Sequence, residues 1–436
     1  MNYFDEIEDR FEEAEFLQKS TNKVKIKIEN WDLESIEHNN LISTSLRVKE
    51  DSTFGSNYTY GKSSEIMEKL IKGAEKSIKF GKEANFCFSS DRIDKSSLKR
   101  REEYENTTPA VLFDYLQDIM VYIKEKQPDL TLDIDLVKLF DSITMKTSQG
   151  ADLKDEISNY RLYIGSPVPG GGSQLIRGFE SESMFTDLFK EEIDELLAEY
   201  NIAREVSVPK TGKLPVLFSP RSLYFVLVSL QAGLSGKKIY QETSPLIDKK
   251  GEKIFSDKID ITDKPHLVKS GSRRFFDDEG ILTSQSEIIK EGILKNYIYD
   301  LEYADKLDAK PTGHGLKKEL FSADISTSVS PNFINPVIEP KDKSKNELLS
   351  EIDKGIYVTN VIGFHSSNYE QGHFSVQAQG FNVENGKLVG RLQDVMIAGN
   401  IYEDFNNVIG VGDKIYSNMW GYAPYILVDK VSVTGE

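Results

Sequence analysis

The sequence predicts an α+β fold: an N-terminal mixed α/β domain over residues 1–205, then a large, mainly antiparallel, barrel-like β domain over residues 206–436. Three observations carry this reading. Segments of helical and strand period alternate over the first two hundred residues. The stretch "AREVSVPKTGKLPVLFSP" (203–220) brings three prolines and marks a boundary near Ile202 to Val208. Beyond it, strands separated by tight turns dominate. A chain of 436 residues also exceeds one ordinary core, about 150 residues per domain being usual. Its 39% hydrophobic and 29% charged content can bury such cores.

Taken in order, "DEIEDRFEEAEFLQKS" (5–20) has apolar residues at helical spacing and predicts a helix. "KVKIKIEN" (23–30) alternates as a strand, and "STSLRVKEDSTFGSNYTYG" (43–61) reads as two strands around a turn. A helix over 64–81 ends on lysines and Gly81. "ANFCFSS" (84–90) reads as a strand that buries Cys87 as an inert thiol. Thr108 caps a helix that Pro109 opens. Strands are expected at 130–137, 141–150 and 160–166, and a last helix at 183–201. The glycine run "GSPVPGGGSQL" lacks the Gly-Lys-Ser/Thr ending of a phosphate loop and reads as a turn between strands.

The segment Ser219–Gly233 is apolar, and Arg221 is its only charge. Later, Asp248-Lys249-Lys250 before Gly251 and the pair Asn385-Gly386 signal hairpins. "PKDKSKNELLSEIDKG" (340–355) reads as a short helix closed by Gly355.

Charge and cysteine usage exclude several classes. The formal charge of -17, from 54 Lys and Arg against 71 Asp and Glu, would repel a phosphate backbone, so direct nucleic-acid binding is not expected. No apolar run reaches the ~20 residues of a membrane span. The acidic start "MNYFDEIEDRFEEAEF" is unlike a signal peptide, so a cytoplasmic protein is expected. A lone cysteine permits no internal disulfide and no thiolate metal cluster.

Candidate chemistry is sparse. Asp277, Asp278 and Glu279 before Gly280 are either paired carboxylates or a solvated turn, and adjacent like charges in a loop favour the turn. Gly399-Asn400 is a further turn pair. His365 and His373 flank "SSNYEQG" and face each other if that segment folds as a hairpin.

The second half resembles the TldD/TldE family, also called PmbA or "modulator of DNA gyrase" proteins. The resemblance rests on "RRFFDDEGILTSQSEIIKEGILKNYIYDLEYADKLDAKPTGHG", "GFNVENGKLVGRLQDVMIAGN" and "GVGDKIYSNMWGYAPYILVDKVSVTG". It makes Phe276, Asp277, Asp278, Glu279, Gly280, Gly313, His314, Gly399 and Asn400 family-motif residues, mainly structural in role. Members of the TldD branch carry His-Glu-x-x-x-His on a helix after the domain boundary, and a late His and Cys complete a zinc site. Here that place falls on Ser219–Gly233, which has no His, Glu or Asp, and Trp420 and Gly421 stand where the cysteine is expected.

The match is therefore to the TldE/PmbA-like branch. This implies a non-catalytic subunit, without catalytic or metal-binding residues of its own, in a zinc metallopeptidase complex that degrades or processes unfolded or short peptides. Zinc is then expected only in a TldD-like sister subunit, the partner in a heterodimer. Gly380, Phe381, Asn385, Gly386, His365 and His373 are the candidates for lining a peptide chamber. The alternatives are a stand-alone homodimeric binding module, or a divergent metallopeptidase built on the His365/His373 loop, where the family usually has an acidic residue at the position of His373.

Overall fold

Long two-sided strand ladders organise the first half of the chain. The computed structural model describes residues 3–96, 98–171, 174–267, 271–320 and 322–436. A short helix α1 (Tyr3–Glu8) leads into β1 (Glu13–Glu29), β2 (Asp32–Glu50) and β3 (Thr53–Tyr60). The expected helix over 5–20 is thus mostly strand, because β1 pairs along its length with β2 on one side and with a later strand on the other. Such ladders override the helical preference of its Glu and Ala residues.

Helix α2 (Ser64–Ile78) is capped by Ser63, and the short strands β4 (Lys82–Glu83) and β5 (Arg92–Lys95) follow. The expected strand at 84–90 is absent. Phe86 and Phe88 are buried while Cys87 is exposed, so the alternation is real but turns the thiol outward.

Helices α3 (Leu98–Asn106) and α4 (Pro109–Lys126) precede β6 (Asp133–Thr147), β7 (Asp152–Pro167) and β8 (Gln174–Ser181). The two strands expected at 130–150 are one, held straight by unbroken pairing with β1 and β7. Residues 172 and 173 of the glycine turn lie outside the described residues. Helix α5 (Lys190–Ile202) starts later than expected, since Phe189 takes a left-handed φ of 51°. The sheet order is β4-β3-β2-β1-β6-β7-β5, and β8 also pairs with β7.

The second half is built on a closed five-stranded barrel. Strand β9 (Gly212–Phe218) lies parallel to Lys354–Ile362 and antiparallel to Ile426–Thr434; Met396–Asn400 and His373–Glu384 complete the ring, which closes on Lys354–Ile362. Strand alternation divides the barrel wall between two cores. Val216, Phe218, Ile356 and Val358 pack with helix α6 (Tyr224–Leu234), while Leu217, Tyr357, Phe381 and Leu427 join the cluster of Leu112, Leu116, Leu196 and Tyr200 from α4 and α5. The second cluster fastens the two halves together.

Several turn residues behave as expected. Asn385 (φ 48°) and Gly386 (φ 75°) form the two-residue turn between His373–Glu384 and Lys387–Arg391. Others do not. The Asp248–Gly251 turn exists but joins no strand pair. Helix Lys345–Ser350 ends before Gly355, which lies in a strand where a Cβ would meet the Pro215 carbonyl. Gly399 is also in a strand, and Asn400 caps Ile401–Asp404 by accepting from the Tyr402 N–H.

A cleft where the apolar helix begins

Helix α6 is buried on all sides: Phe225 through Leu230 have at most 2% of their surface exposed. Phe225 packs its ring against Phe218, Phe374, Phe364 and Phe405. The turn ahead of it is fastened to the barrel. Ser219 donates from its backbone N–H to the Val358 carbonyl and from Oγ to the Thr359 carbonyl (both 2.9 Å), and its Oγ accepts from the Ser222 N–H (3.1 Å). The helix carries no imidazole, thiolate or carboxylate, so its residues do not fit a zinc ion. Among the described residues no three His, Cys, Asp or Glu side chains form a metal-holding group.

Three adjoining cavities surround the start of this helix and the loop Asn418–Trp420. Asn418 organises them. Its Oδ1 accepts from the Trp420 and Gly421 N–H groups (both 2.8 Å), and its Nδ2 donates to the Pro220 carbonyl (3.1 Å). One cavity, ≈ 60 Å³, is lined by Arg221, Arg177, Tyr163, Phe179 and Tyr416. A second, ≈ 390 Å³, lies between Tyr224, Lys318, His365 and Trp420, and a third, ≈ 330 Å³, between Arg161, Arg274, Lys318 and Trp420.

Charge in this cleft is unevenly satisfied. Arg177 pairs with Glu199 (2.9 Å), Arg161 with Glu180 (3.4 Å) and Arg274 with Asp278 (2.6 Å). The Lys318 ammonium has no hydrogen bond or ion pair among the described residues; it lies 4.4 Å from the centre of the Trp420 ring, and burial, with Arg161 and Arg274 nearby, brings its pKa down to about 8. Arg221 likewise has no partner among the described residues, and its Nε is buried and unbonded. Burial lowers its pKa, and only the Tyr163 and Tyr224 hydroxyls offset this.

The acidic motif is no solvated turn. Asp277, Asp278 and Glu279 are 1%, 8% and 1% exposed. Asp277 accepts from the N–H groups of Glu279, Ile281 and Gly315 (2.9–3.0 Å), and Asp278 accepts from Lys317 N–H (2.7 Å). Glu279 accepts from Leu301 N–H (2.6 Å) and from Nη1 of Arg47 (2.6 Å), a residue of β2. Arg47 also bonds both carboxylate oxygens of Glu15. Burial and Glu279 push the Asp277 carboxyl well up; burial alone would raise Asp278 too, but Arg274 brings it below the ordinary value. Gly280 takes a φ of 77° beside Met145 and Leu153, and Phe276 is buried with them. The motif is a buried joint between the two halves.

The remaining candidates are scattered. Gly313 is a positive-φ turn (71°), and His314 is buried with Nε2 at 3.0 Å from Asp263 and Nδ1 at 2.9 Å from Thr312. His365 and His373 are exposed and line separate cavities, the latter together with Gly399 and Asn400, so the structure does not bring the two histidines to one site. Gly380 sits where a Cβ would collide with the Tyr357 carbonyl. Phe381 is 1% exposed and lies in the interdomain core, which keeps its side chain off any chamber wall. Asn385 and Gly386 sit beside Leu349 and Ser350, away from the cleft.

A closed barrel joined to a mixed sheet, with its cleft at the entry to a buried helix, defines the class; comparison with known proteins supplies the family. The sequence model of the PmbA/TldA metallopeptidase C-terminal domain matches residues 211–435, and the chain belongs to this family. Among curated relatives, the Metalloprotease PmbA homolog of Haemophilus influenzae is 30% identical over 228 residues, 52% of this chain and 47% of that protein. The Metalloprotease of Methanothermobacter thermautotrophicus is 22% identical over 418 residues, 93% of this chain and 89% of its own length. The chain spans about half the length of the first curated relatives it matches. The crystal structure of TldE from Thermococcus kodakarensis superposes with a TM-score of 0.87 at 23% identity, covering 99% of this chain and all of that one, and shares its fold. No helix among the described residues is long and apolar enough to cross a membrane.

Proposed function

We propose that this chain is a non-catalytic, TldE-like subunit that pairs with a zinc-bearing, TldD-like sister and holds extended peptides beside the sister's site. The observation that carries this reading is α6. Where the resemblance places zinc ligands, this helix presents phenylalanine, valine and leucine side chains, all buried in the barrel core. The fold shared with an archaeal TldE supports the same branch. Beside the cleft, β8 pairs with β7 alone among the described residues, and strand addition to an unpaired edge selects unfolded or short chains over folded proteins.

The test is to purify the chain alone and together with a TldD-type sister, then measure zinc content and cleavage of an unfolded polypeptide. The chain alone is expected to carry negligible zinc and to cleave nothing, and the pair to cleave. A sister that cleaves equally well without this chain would refute the subunit role. A stable self-dimer that ignores the sister would replace it with the binding-module reading.

A further inference from the structure

In a chain of net charge -17, with 71 carboxylates available, a guanidinium left unpaired in a half-buried cleft calls for an explanation. Burying a cation without a counter-charge is unfavourable, and such a site gains most from a ligand that supplies the missing charge. Arg221 is that cation. Its Nε is buried and unbonded, and no carboxylate stands near enough to act on its charge. Asn418 fixes the adjacent Pro220 carbonyl, so the arginine is carried on a rigid turn.

The cavity itself specifies the ligand. At ≈ 60 Å³ it has room for about two waters, the space of one small planar group. A guanidinium offers parallel N–H bonds that match a carboxylate in bidentate geometry. Arg177 on the same wall pairs with Glu199, and Glu192 and Glu195 also line the cavity, so Arg221 is its one unpaired cation among the described residues and a second negative charge, as on a phosphate, would meet those carboxylates. The backbone of Ile176, Gly178 and Phe179 forms another wall. This segment belongs to β8, which pairs only with β7 among the described residues, so its second edge carries no strand pairing.

We infer that the Arg221 cavity is a carboxylate site that takes the free C-terminus of an extended peptide laid along the unpaired edge of β8. This rests on the peptide-holding part of the reading above and requires neither a sister subunit nor zinc.

Binding to the purified chain alone tests it. The probe is a fluorescein-labelled, unstructured ten-residue peptide of glycine, alanine and leucine, with a free C-terminal carboxylate or with the same end amidated. The free acid should bind at least about tenfold more tightly than the amide, the scale of one charge-assisted pair. Arg221→Met should abolish the difference, Arg221→Lys should restore part of it, and acetate should compete better than inorganic phosphate. Both variants must melt like the parent. Equal binding of acid and amide, an unchanged preference in Arg221→Met, stronger competition by phosphate, or no binding of either peptide would each overturn the assignment. None of these results bears on whether a sister needs this chain for cleavage.

Discussion

Two arginines, the buried Arg47 and the half-buried Arg221, stand in opposite circumstances. Arg47 lies between Glu15 and Glu279, each within hydrogen-bond reach, with the rings of Phe54 and Phe88 at 5.8 and 5.4 Å. Arg221 has the Tyr163 and Tyr224 hydroxyls near it and, among the described residues, no ion pair. The first is consumed by the fold, joining β2 to the acidic motif across the seam between the halves. The second leaves its bonding capacity open. Complete pairing therefore separates a structural cation from one available to a ligand.

The largest effect tests the paired member. Arg47→Met leaves Glu15 and Glu279 buried without a counter-charge and should cost about 3–5 kcal/mol, measured by denaturant unfolding. A cost below about 1 kcal/mol would remove the contrast with Arg221. Next, Asn418→Ala deletes the one hydrogen bond that ties the cleft loop to the Arg221 turn and two that hold the loop's own shape. It should cost about 1–2 kcal/mol and weaken the preference for a free peptide C-terminus.

A smaller effect sharpens the seam's electrostatics. Asp300 is raised from 3.8 to about 8, first by burial and then by Glu279. Between those values the folded chain keeps a proton that the unfolded chain releases, so this group's contribution to stability falls as pH rises through that window. Asp300→Asn keeps the cap to the Tyr303 N–H and should raise stability above pH 8, by on the order of 1 kcal/mol or more, with little change below pH 4. Thermal melts across pH would show it. The smallest change is expected for Arg221→Met, which removes an unpaired, half-buried charge and should leave stability unchanged or raise it by up to about 1 kcal/mol. A loss of several kcal/mol would mean that Arg221 is structural after all.

The sequence made some of this legible and hid the rest for identifiable reasons. The apolar run of α6, the Asn385-Gly386 turn and the alternating barrel strands declare themselves locally. The acidic motif does not, because its decisive partner, Arg47, lies 232 residues away and closes the site only when the halves meet. The cleft is drawn from Tyr163, Arg221, Lys318 and Asn418, four segments with no motif among them. One signal was present: Arg221 is the sole charge in an otherwise apolar stretch. The β1 segment was misjudged as a helix because its ladder partners are invisible to periodicity.

Cys87 has a practical consequence. It is the only thiol in the chain, it points outward, and its neighbours Phe86 and Phe88 pack with Leu301 from the second half. A maleimide dye would therefore attach at a single position, without any mutation, directly above the seam that Arg47 closes. Its emission would follow the parting of the two halves during unfolding, and would show whether docking of a second subunit alters that joint.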